Sequence, residues 1–336
     1  MSTISTCMIV LNEEKFLARC LDSIKEFSDE IIIIDTGSTD TTKDIARMYT
    51  DMVFDYKWIG NFAHARNFSF SKASMDYIYH ADADEVIDQE NIRKIIALKE
   101  HGLEEYDIVQ MYYANQLEYG STYNYDKEYR PKMYRRLRQF IWKDPIHEVV
   151  ELEPSIFDSD ISILHLPESN HASRDFSIFQ KMIREGEYIS PRLVVMYAKE
   201  LYIAGKEEDF LEAKDFFVKR AGLILEANEL KAVQCVLVRI ALIEDDKHLL
   251  LKYSLKNIAD GLPSAEVSYY LGEYYFCNKE YEEAIIWYYN AAYETTGELN
   301  IHYCGDYPLN RIAECYHSIG AYEQEKEYRK RANALI

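Results

Sequence analysis

An α/β domain with a mostly parallel sheet, followed by an all-helical region, is the architecture this sequence predicts. The first hundred residues alternate short β-prone apolar runs with segments of helical spacing, and everything beyond Ser190 keeps helical spacing rich in tyrosine and alanine. The length of 336 residues fits about two domains. We place the first at 1–170, a polar linker at 171–190 and the helical region at 191–336.

The elements follow in order. Ser5 to Leu11 is apolar and β-prone, and Asn12-Glu13-Glu14 opens a helix, with Asn12 as its expected N-cap. In that helix Phe16, Leu17, Cys20, Leu21 and Ile24 recur at helical spacing. Glu30 to Asp35 is an isoleucine run of the kind buried on both faces of a parallel sheet. It ends in Asp35-Thr36-Gly37-Ser38-Thr39-Asp40, a turn before another helix. Met52 to Tyr56 reads as a short strand, Asn61 to Lys72 as a helix, and Tyr77 to Ala81 as a fourth strand stopping at Asp82-Ala83-Asp84-Glu85. Ligands of such sheets bind beyond the carboxyl ends of the strands, where Asn12, Asp35–Ser38 and Asp82–Asp84 all fall. From Asp107 to about Pro167 the pattern turns aromatic and alternating, as in Ile108 to Tyr113 and Lys132 to Leu137. Antiparallel strands closing one side of the sheet are expected there.

The helical region contains repeats. Leu271, Gly272, Tyr275, Tyr281, Ala284, Tyr288 and Ala291 fall at the offsets of the tetratricopeptide pattern. Ala313, Tyr316, Gly320, Tyr322 and Ala332 form a partial second copy, and Ala198, Leu201, Gly205 and Ala213 a third with a short insertion. Residues 225–260 look helical but match poorly. Small residues let paired helices approach while aromatics fill the gaps between repeats. Such a region is either a cap stabilising the first domain or a surface for an extended peptide or partner.

The charge balance narrows the function. Lys and Arg number 38 against 58 Asp and Glu, a formal net charge of −20. That field repels nucleic acid and anionic membranes at long range, so no nucleic-acid partner is expected. The longest aliphatic run, Ile31 to Ile34, is far too short to span a membrane. The N-terminal MSTISTCMIV lacks the basic start and cleavage site of a signal peptide, so a soluble, cytoplasmic protein is expected. The six cysteines include no CxxC pair and read as reduced, buried thiols.

Four clusters can carry chemistry. In Asp82-Ala83-Asp84, two carboxylates one residue apart past a strand can chelate Mg²⁺ or Mn²⁺, which in turn bridges phosphate oxygens. Glu85 is either a further ligand or a carboxylate favoured by the first turn of a helix. Asp35 can accept a hydrogen bond from a ribose hydroxyl or a base N–H, with Gly37 allowing a tight turn beside it. Its alternative is structural, with Ser38 or Thr39 merely capping the next helix. In His64-Ala65-Arg66-Asn67, Arg66 either pairs with a carboxylate or contacts a nucleotide, or is a plain surface residue. Finally, Pro145-Ile146-His147-Glu148 follows six basic residues, Arg130, Lys132, Arg135, Arg136, Arg138 and Lys143, where a diphosphate would be drawn. The His147-Glu148 dipeptide suits general-base work. His165 is a metal ligand or a buried structural histidine.

Five motifs in this order and spacing carry a family resemblance: Cys7-Met8-Ile9-Val10-Leu11-Asn12-Glu13-Glu14, Ile34-Asp35-Thr36-Gly37-Ser38-Thr39-Asp40, Ala65-Arg66-Asn67, Asp82-Ala83-Asp84-Glu85 and Ile146-His147-Glu148. Together they resemble family 2 glycosyltransferases of the GT-A (Rossmann-like) fold. The resemblance is greatest to the branch with tetratricopeptide-like helices after the catalytic domain, which includes bacterial glycocin-type peptide glycosyltransferases. The resemblance implies inverting transfer from a UDP-sugar with Mn²⁺ or Mg²⁺. It places nucleotide-sugar contacts on Met8, Val10, Asn12, Glu14, Asp35, Gly37, Ser38, Arg66, Asn67, Asp82, Ala83 and Arg135. Metal ligands would be Asp82, Asp84 and His165, and the acceptor base Glu148 with His147 as partner. Where the family often has Arg-Leu-Phe-Arg ahead of the His-Glu pair, this chain has Lys132-Met133-Tyr134-Arg135.

The leading expectation is therefore a cytoplasmic, metal-dependent transferase acting on a Ser, Thr or Cys side chain of a peptide or protein held by the repeats. A glycan or lipid-linked acceptor in cell-envelope synthesis is the second reading, and a non-catalytic repeat-based interaction protein the third. The tyrosine-rich helices, in a chain with 29 tyrosines, also suit a homodimer surface.

Overall fold

A computed structural model describes residues 1–114, 127–150, 155–166, 172–259, 261 and 263–335. The chain forms two compact units, Met1–His171 and Ala172–Ile336.

The first unit runs β1 (Ile4–Val10), α1 (Leu17–Ile24), β2 (Glu30–Asp35), α2 (Thr42–Arg47), β3 (Val53–Asp55), α3 (Phe62–Phe70), β4 (Tyr77–Ala81), β5 (Glu85–Val86), α4 (Gln89–Glu100), β6 (Ile108–Ala114), β7 (Lys127–Arg135) and β8 (Ile156–His165). These strands form one sheet in the order β3-β2-β1-β4-β7-β6-β8-β5. Its first four strands are parallel, as the alternating pattern predicts. Side chains alternate across it. Ile4, Met8, Val10 and Ile33 enter one core with α1 and α4, while Cys7, Ile32 and Ile34 enter the other with α3. Burial on both faces explains why β2 is an unbroken isoleucine run, each side chain contributing about 1.5–3 kcal/mol.

β7 pairs antiparallel with both β4 and β6, in line with the alternating segments, but β8 runs parallel to β6. The expectation of purely antiparallel strands fails there. β6 and β7 run in opposite directions, and the chain then returns past β7 to the free edge of β6, so β8 must point the same way as β6. Asn12 is not a helix cap either. It holds a left-handed backbone, φ 56°, and α1 begins only at Leu17. Asn61 and Asp88 cap α3 and α4, accepting from the His64 and Asn91 N–H groups at 2.8 Å each.

The second unit is helical: α5 (Ala172–Glu185), α6 (Pro191–Ala204), α7 (Glu207–Arg220), α8 (Ala227–Ile243), α9 (Lys247–Ala259), α10 (Ala265–Cys277), α11 (Tyr281–Tyr289), α12 (Asp306–Ser318) and α13 (Tyr322–Asn333). Helix α5 occupies most of the segment 171–190 read from sequence as a linker. Its Phe176, Ile178, Phe179 and Met182 are buried, so the polar residues around it form the outer face of an amphipathic helix. The pairs α8–α9, α10–α11 and α12–α13 pack side by side, and α6 and α7 both lie against α8. Of the repeat residues, Ala198, Leu201, Ala213, Leu271, Ala284, Tyr288, Ala291, Ala313 and Ala332 are buried, whereas Tyr322 is exposed. At Gly272 a Cβ would stand 2.6 Å from the Tyr288 ring, so the glycine permits the α10–α11 approach. No described helix is long and apolar enough to cross a membrane. All six cysteines are free thiols, four of them buried.

Candidate active site

Two loops meet beyond the parallel strands. After β2, buried Asp35 turns its Oδ1 back to accept the N–H groups of Gly37 and Ser38, both at 3.0 Å. Gly37 takes φ 117°, open to glycine and costly to other residues. After β1, Asn12 donates its N–H to Ser38 Oγ at 2.9 Å, and its Oδ1 accepts the Thr39 N–H at 2.8 Å. Glu14 Oε2 accepts from the Thr41 hydroxyl at 2.8 Å and the Thr41 N–H at 3.1 Å. Asn12, Glu14 and Ser38 thus tie the two loops together. Asp35 Oδ2 remains buried and, among the described residues, has no hydrogen-bond partner. A buried carboxylate oxygen without a donor is costly, so this loop is built to receive one.

At the end of β4, Asp82 is approached from α3 by Arg66, whose Nη2 donates to Asp82 Oδ1 at 3.3 Å. The same guanidinium donates through Nε to Glu148 Oε1 and lies 5.1 Å from the Trp142 ring centroid. Its Nη1 is 3.3 Å from His80 Nδ1, and the Lys132 ammonium is 3.5 Å from the same nitrogen. Both neighbours are donors, so Nδ1 accepts and the ring proton sits on Nε2. Lys132 also donates to both oxygens of Glu85, at 2.7 and 2.9 Å, with both side chains 2% exposed. A polar network therefore joins these groups: Arg66 holds Glu148 and Asp82, and His80 lies between Arg66 and the buried Lys132–Glu85 pair.

The electrostatics follow from this packing. Burial opposes the charge on Asp82, but Arg66 and then Lys132 outweigh it and hold the carboxyl well below the usual range. Burial disfavours the Arg66 cation, yet Glu148 and Asp82 more than restore it. For His80, burial, reinforced by Lys132 and Arg66, depresses the imidazole far enough to keep it neutral. Burial raises the Glu85 carboxyl more than Lys132 lowers it.

Asp84 points elsewhere. Its Oδ2 is 3.1 Å from His165 Nε2, and the β5–β8 ladder places them together by pairing Glu85 with His165. The Leu166 N–H donates to the Asp84 carbonyl at 2.9 Å. Among the described residues no three His, Cys, Asp or Glu side chains are grouped to hold a metal. The expected trio of Asp82, Asp84 and His165 is thus split: Arg66 takes Asp82, and only Asp84 and His165 touch. That pair still suits Mg²⁺ or Mn²⁺, which bind through one or two protein ligands with phosphate and water completing the shell. His165 Nδ1 is buried without a partner among the described residues, leaving Nε2 as the nitrogen that faces Asp84.

Several sequence expectations are corrected. Met8 and Val10 are core residues, 0% and 2% exposed, because their side chains point into the α1 and α4 face of the sheet. Ala83 is likewise buried in that core. Arg135 lies at the wrong end of the sheet: antiparallel register pairs it with Tyr77, which starts β4, whereas Asp82 follows its end. There Arg135 donates to the Tyr77 hydroxyl at 3.0 Å and pairs with Asp107 at 3.3 Å. Arg138 also pairs with Asp107, so the basic run does not form one phosphate cradle; of its members, Lys132 reaches the Asp82 cluster. Asn67 clamps Trp142, accepting its N–H at 2.8 Å and donating to its carbonyl at 3.0 Å. Glu85 is the counter-ion of Lys132 in β5 rather than a first-turn carboxylate. His147 adopts φ 49° immediately before Glu148, and the Pro145 carbonyl docks this segment on α3 by accepting the Phe62 N–H at 2.8 Å. The residues that sequence reasoning missed are His80, Trp142 and the role of Lys132. The out-of-place signal was a histidine inside the otherwise apolar strand Tyr77–Ala81.

Comparison with known proteins agrees with this architecture. Residues 5–151 match the family Glycosyl transferase family 2. The SPbeta prophage-derived glycosyltransferase SunS of Bacillus subtilis is 29% identical over 234 residues, covering 62% of this chain and 52% of SunS. The chain therefore spans about half the length of that relative. A TPR repeat-containing protein of Synechococcus elongatus is 42% identical over 85 residues, 25% of this chain and 21% of that protein. The lipopolysaccharide core biosynthesis glycosyltransferase LpsC of Rhizobium meliloti is 33% identical over 90 residues, 26% of this chain and 33% of LpsC. The parallel β3-β2-β1-β4 core and the loops converging on Asp35 and Asp82 lie within residues 5–151, the part of the first unit that matches glycosyltransferase family 2.

Proposed function

We propose that the chain is an inverting, metal-dependent glycosyltransferase that moves a sugar from a UDP-sugar to a Ser, Thr or Cys side chain of a peptide or protein. The observation that carries this is the placement of Asp35, Asp82, Arg66 and Glu148 together at the carboxyl ends of β2 and β4 and on the segment beside them. The peptide acceptor is supported by the similarity to SunS and by the repeat pattern of the helical second unit.

In this reading Asp35 Oδ2 accepts an N–H of the uracil base. A divalent cation, when bound, neutralises charge on the diphosphate; Asp84 and His165, with Asp82 beside them, would hold it. Arg66 supplies a fixed positive charge next to Asp82, where charge develops on the leaving group. Glu148 Oε1 is occupied by Arg66, while Oε2 makes no hydrogen bond among the described residues, so Oε2 takes the acceptor proton. The acceptor oxygen or sulfur then bonds to the anomeric carbon from the face opposite the diphosphate. The bond from that carbon to the UDP oxygen breaks, its electron pair leaves with UDP, and the configuration inverts.

The test is mass spectrometry of UDP release and peptide modification after incubation with Mn²⁺, a panel of UDP-sugars, and Ser-, Thr- and Cys-containing peptides. Gain of one hexose or N-acetylhexosamine on a peptide is expected. Transfer to glycans alone overturns the peptide acceptor, and no turnover of any UDP-sugar overturns the transferase reading.

A further inference from the structure

We propose that Arg239, with the hydroxyl pair of Tyr270 and Tyr303, forms a carboxylate-binding site in the helical unit, whose ligand is a peptide segment carrying a carboxylate beside an aromatic side chain. The inference is independent of sugar transfer by the first unit.

Arg239 differs from the other half-buried arginines of this unit. Arg220 pairs with Glu229, and Arg311 forms a two-pronged pair with Glu273, both contacts at 2.5 Å. Arg239, half-buried on α8, makes no hydrogen bond or ion pair among the described residues. Its guanidinium carbon instead lies 3.9 Å from the Phe210 ring centroid, 5.7 Å from that of Tyr202 and 5.8 Å from that of Tyr270. A guanidinium stacked on one ring keeps its N–H edge available for a planar, two-oxygen acceptor. Glu207, at the exposed first turn of α7, acts on it only from beyond ion-pair distance.

A second donor lies close by. The Tyr270 and Tyr303 hydroxyls share one hydrogen bond, 2.8 Å long. Whichever donates, the O–H of the other is left over, and among the described residues nothing accepts it. Tyr202 is not available, since its hydroxyl donates to the Cys235 carbonyl at 2.7 Å. The Arg239 N–H groups and one spare O–H of the largely buried Tyr270–Tyr303 pair therefore form a donor set, with no carboxylate among the described residues paired to it, that complements a carboxylate. Beside it, Tyr303 continues into Tyr269 and Tyr307, with ring centroids 5.0 and 5.4 Å away, and Tyr307 is 39% exposed. These rings supply an aromatic wall on which a neighbouring apolar side chain can lie.

The experiment titrates the full chain by calorimetry with three peptides: acetyl-Phe-Glu-Phe-amide, acetyl-Phe-Ala-Phe with a free C-terminal carboxylate, and neutral acetyl-Phe-Gln-Phe-amide. We expect at least one acidic peptide to bind about tenfold tighter than the neutral one, the size of one charge-assisted contact. Which acid wins distinguishes a side-chain carboxylate from a chain terminus. Arg239→Gln should erase the preference, and Arg239→Lys, which keeps the charge but loses the planar fork, should retain only part of it. Without any variant, the preferred peptide should slow phenylglyoxal modification of Arg239 in the native chain. Equal affinity for all three peptides, a preference surviving in Arg239→Gln, or undiminished Arg239 modification overturns the proposal.

Discussion

Arg66 shows how much one side chain can organise: from α3 it reaches Asp82, Glu148 and His80 at once, and its flat face rests on Trp142. Holding Glu148 by one oxygen fixes the direction of the other. Glu148→Gln keeps the shape and the carbonyl contact to Arg66 but cannot take a proton. We predict a fall in kcat of roughly 10²- to 10⁴-fold with UDP affinity unchanged within about threefold. Rates from UDP release and affinity from calorimetry check this; a native kcat removes Glu148 from the base role, and a large loss of UDP affinity makes it a support for Arg66. The deeper pair, Lys132 and Glu85, makes a different prediction. Lys132→Met leaves an uncompensated carboxylate at a position 2% exposed, and breaking a buried pair this way costs about 3–5 kcal/mol. Adding Glu85→Gln should recover most of that loss in urea unfolding. If the loss in the double variant equals the sum of the losses in Lys132→Met and Glu85→Gln alone, the pair contributes nothing. The carboxylates of this site were readable because strand ends and turn residues mark them. Of their cationic partners, Arg66 was readable as a residue that pairs with a carboxylate, but Lys132 was not, because which of Arg130 to Lys143 faces Asp82 depends on β7 register, and register is a property of pairing rather than of local pattern.

Elements whose ends are marked by local chemistry read best. Tyr77–Ala81 is bounded by Asp76 and Asp82, and the strand occupies that interval without change. Glu30–Asp35 is similarly bounded and equally clear. Helix α5 was missed because Pro167, Asn170 and the charged residues around it resemble a linker, while the apolar stripe of Phe176, Phe179 and Met182 becomes meaningful only once other helices cover it. The direction of β8 was missed because alternation reports which face is buried and not which neighbour is paired. Among the helices, the α10–α11 crossing is the most exacting. Tyr288 is fully buried and anchored by a hydrogen bond to Glu273 at 2.6 Å, so its ring cannot swing away from a new methyl at Gly272. Gly272→Ala should therefore destabilise by about 1–3 kcal/mol through overpacking, despite a gain of up to ~1 kcal/mol in helix propensity. Chemical denaturation of the full chain measures the sum, and a variant more stable than the native chain would show that the approach of the two helices is not limited by Tyr288.

For the molecule as a whole, a formal charge of −20 means that acidic groups set the pH response, and Glu200 is one whose contribution has a clear sign. It lies on α6, 8% exposed, where burial and then the nearby Asp175 carboxylate push its carboxyl from an ordinary 4.5 to about 8, Arg174 offsetting only part. The folded chain therefore keeps a proton near neutrality that the unfolded chain has released. With the folded pKa above the unfolded one, this contribution is fully present below about pH 4.5 and is lost as pH rises toward about 8. Between those limits Glu200 lowers the unfolding free energy by up to ~1.4 kcal/mol per pH unit. Other carboxylates add their own slopes, so the quantity to measure is the difference between native chain and Glu200→Gln in calorimetric melts from pH 5 to pH 8.5. Glutamine stays neutral throughout and approximates the protonated acid in shape. The two chains should melt alike at pH 5, and the variant should become progressively more stable as pH rises, with the gap levelling off near pH 8. A gap that is constant across the range would mean that Glu200 is ionised in the folded chain and that its surroundings accommodate the charge.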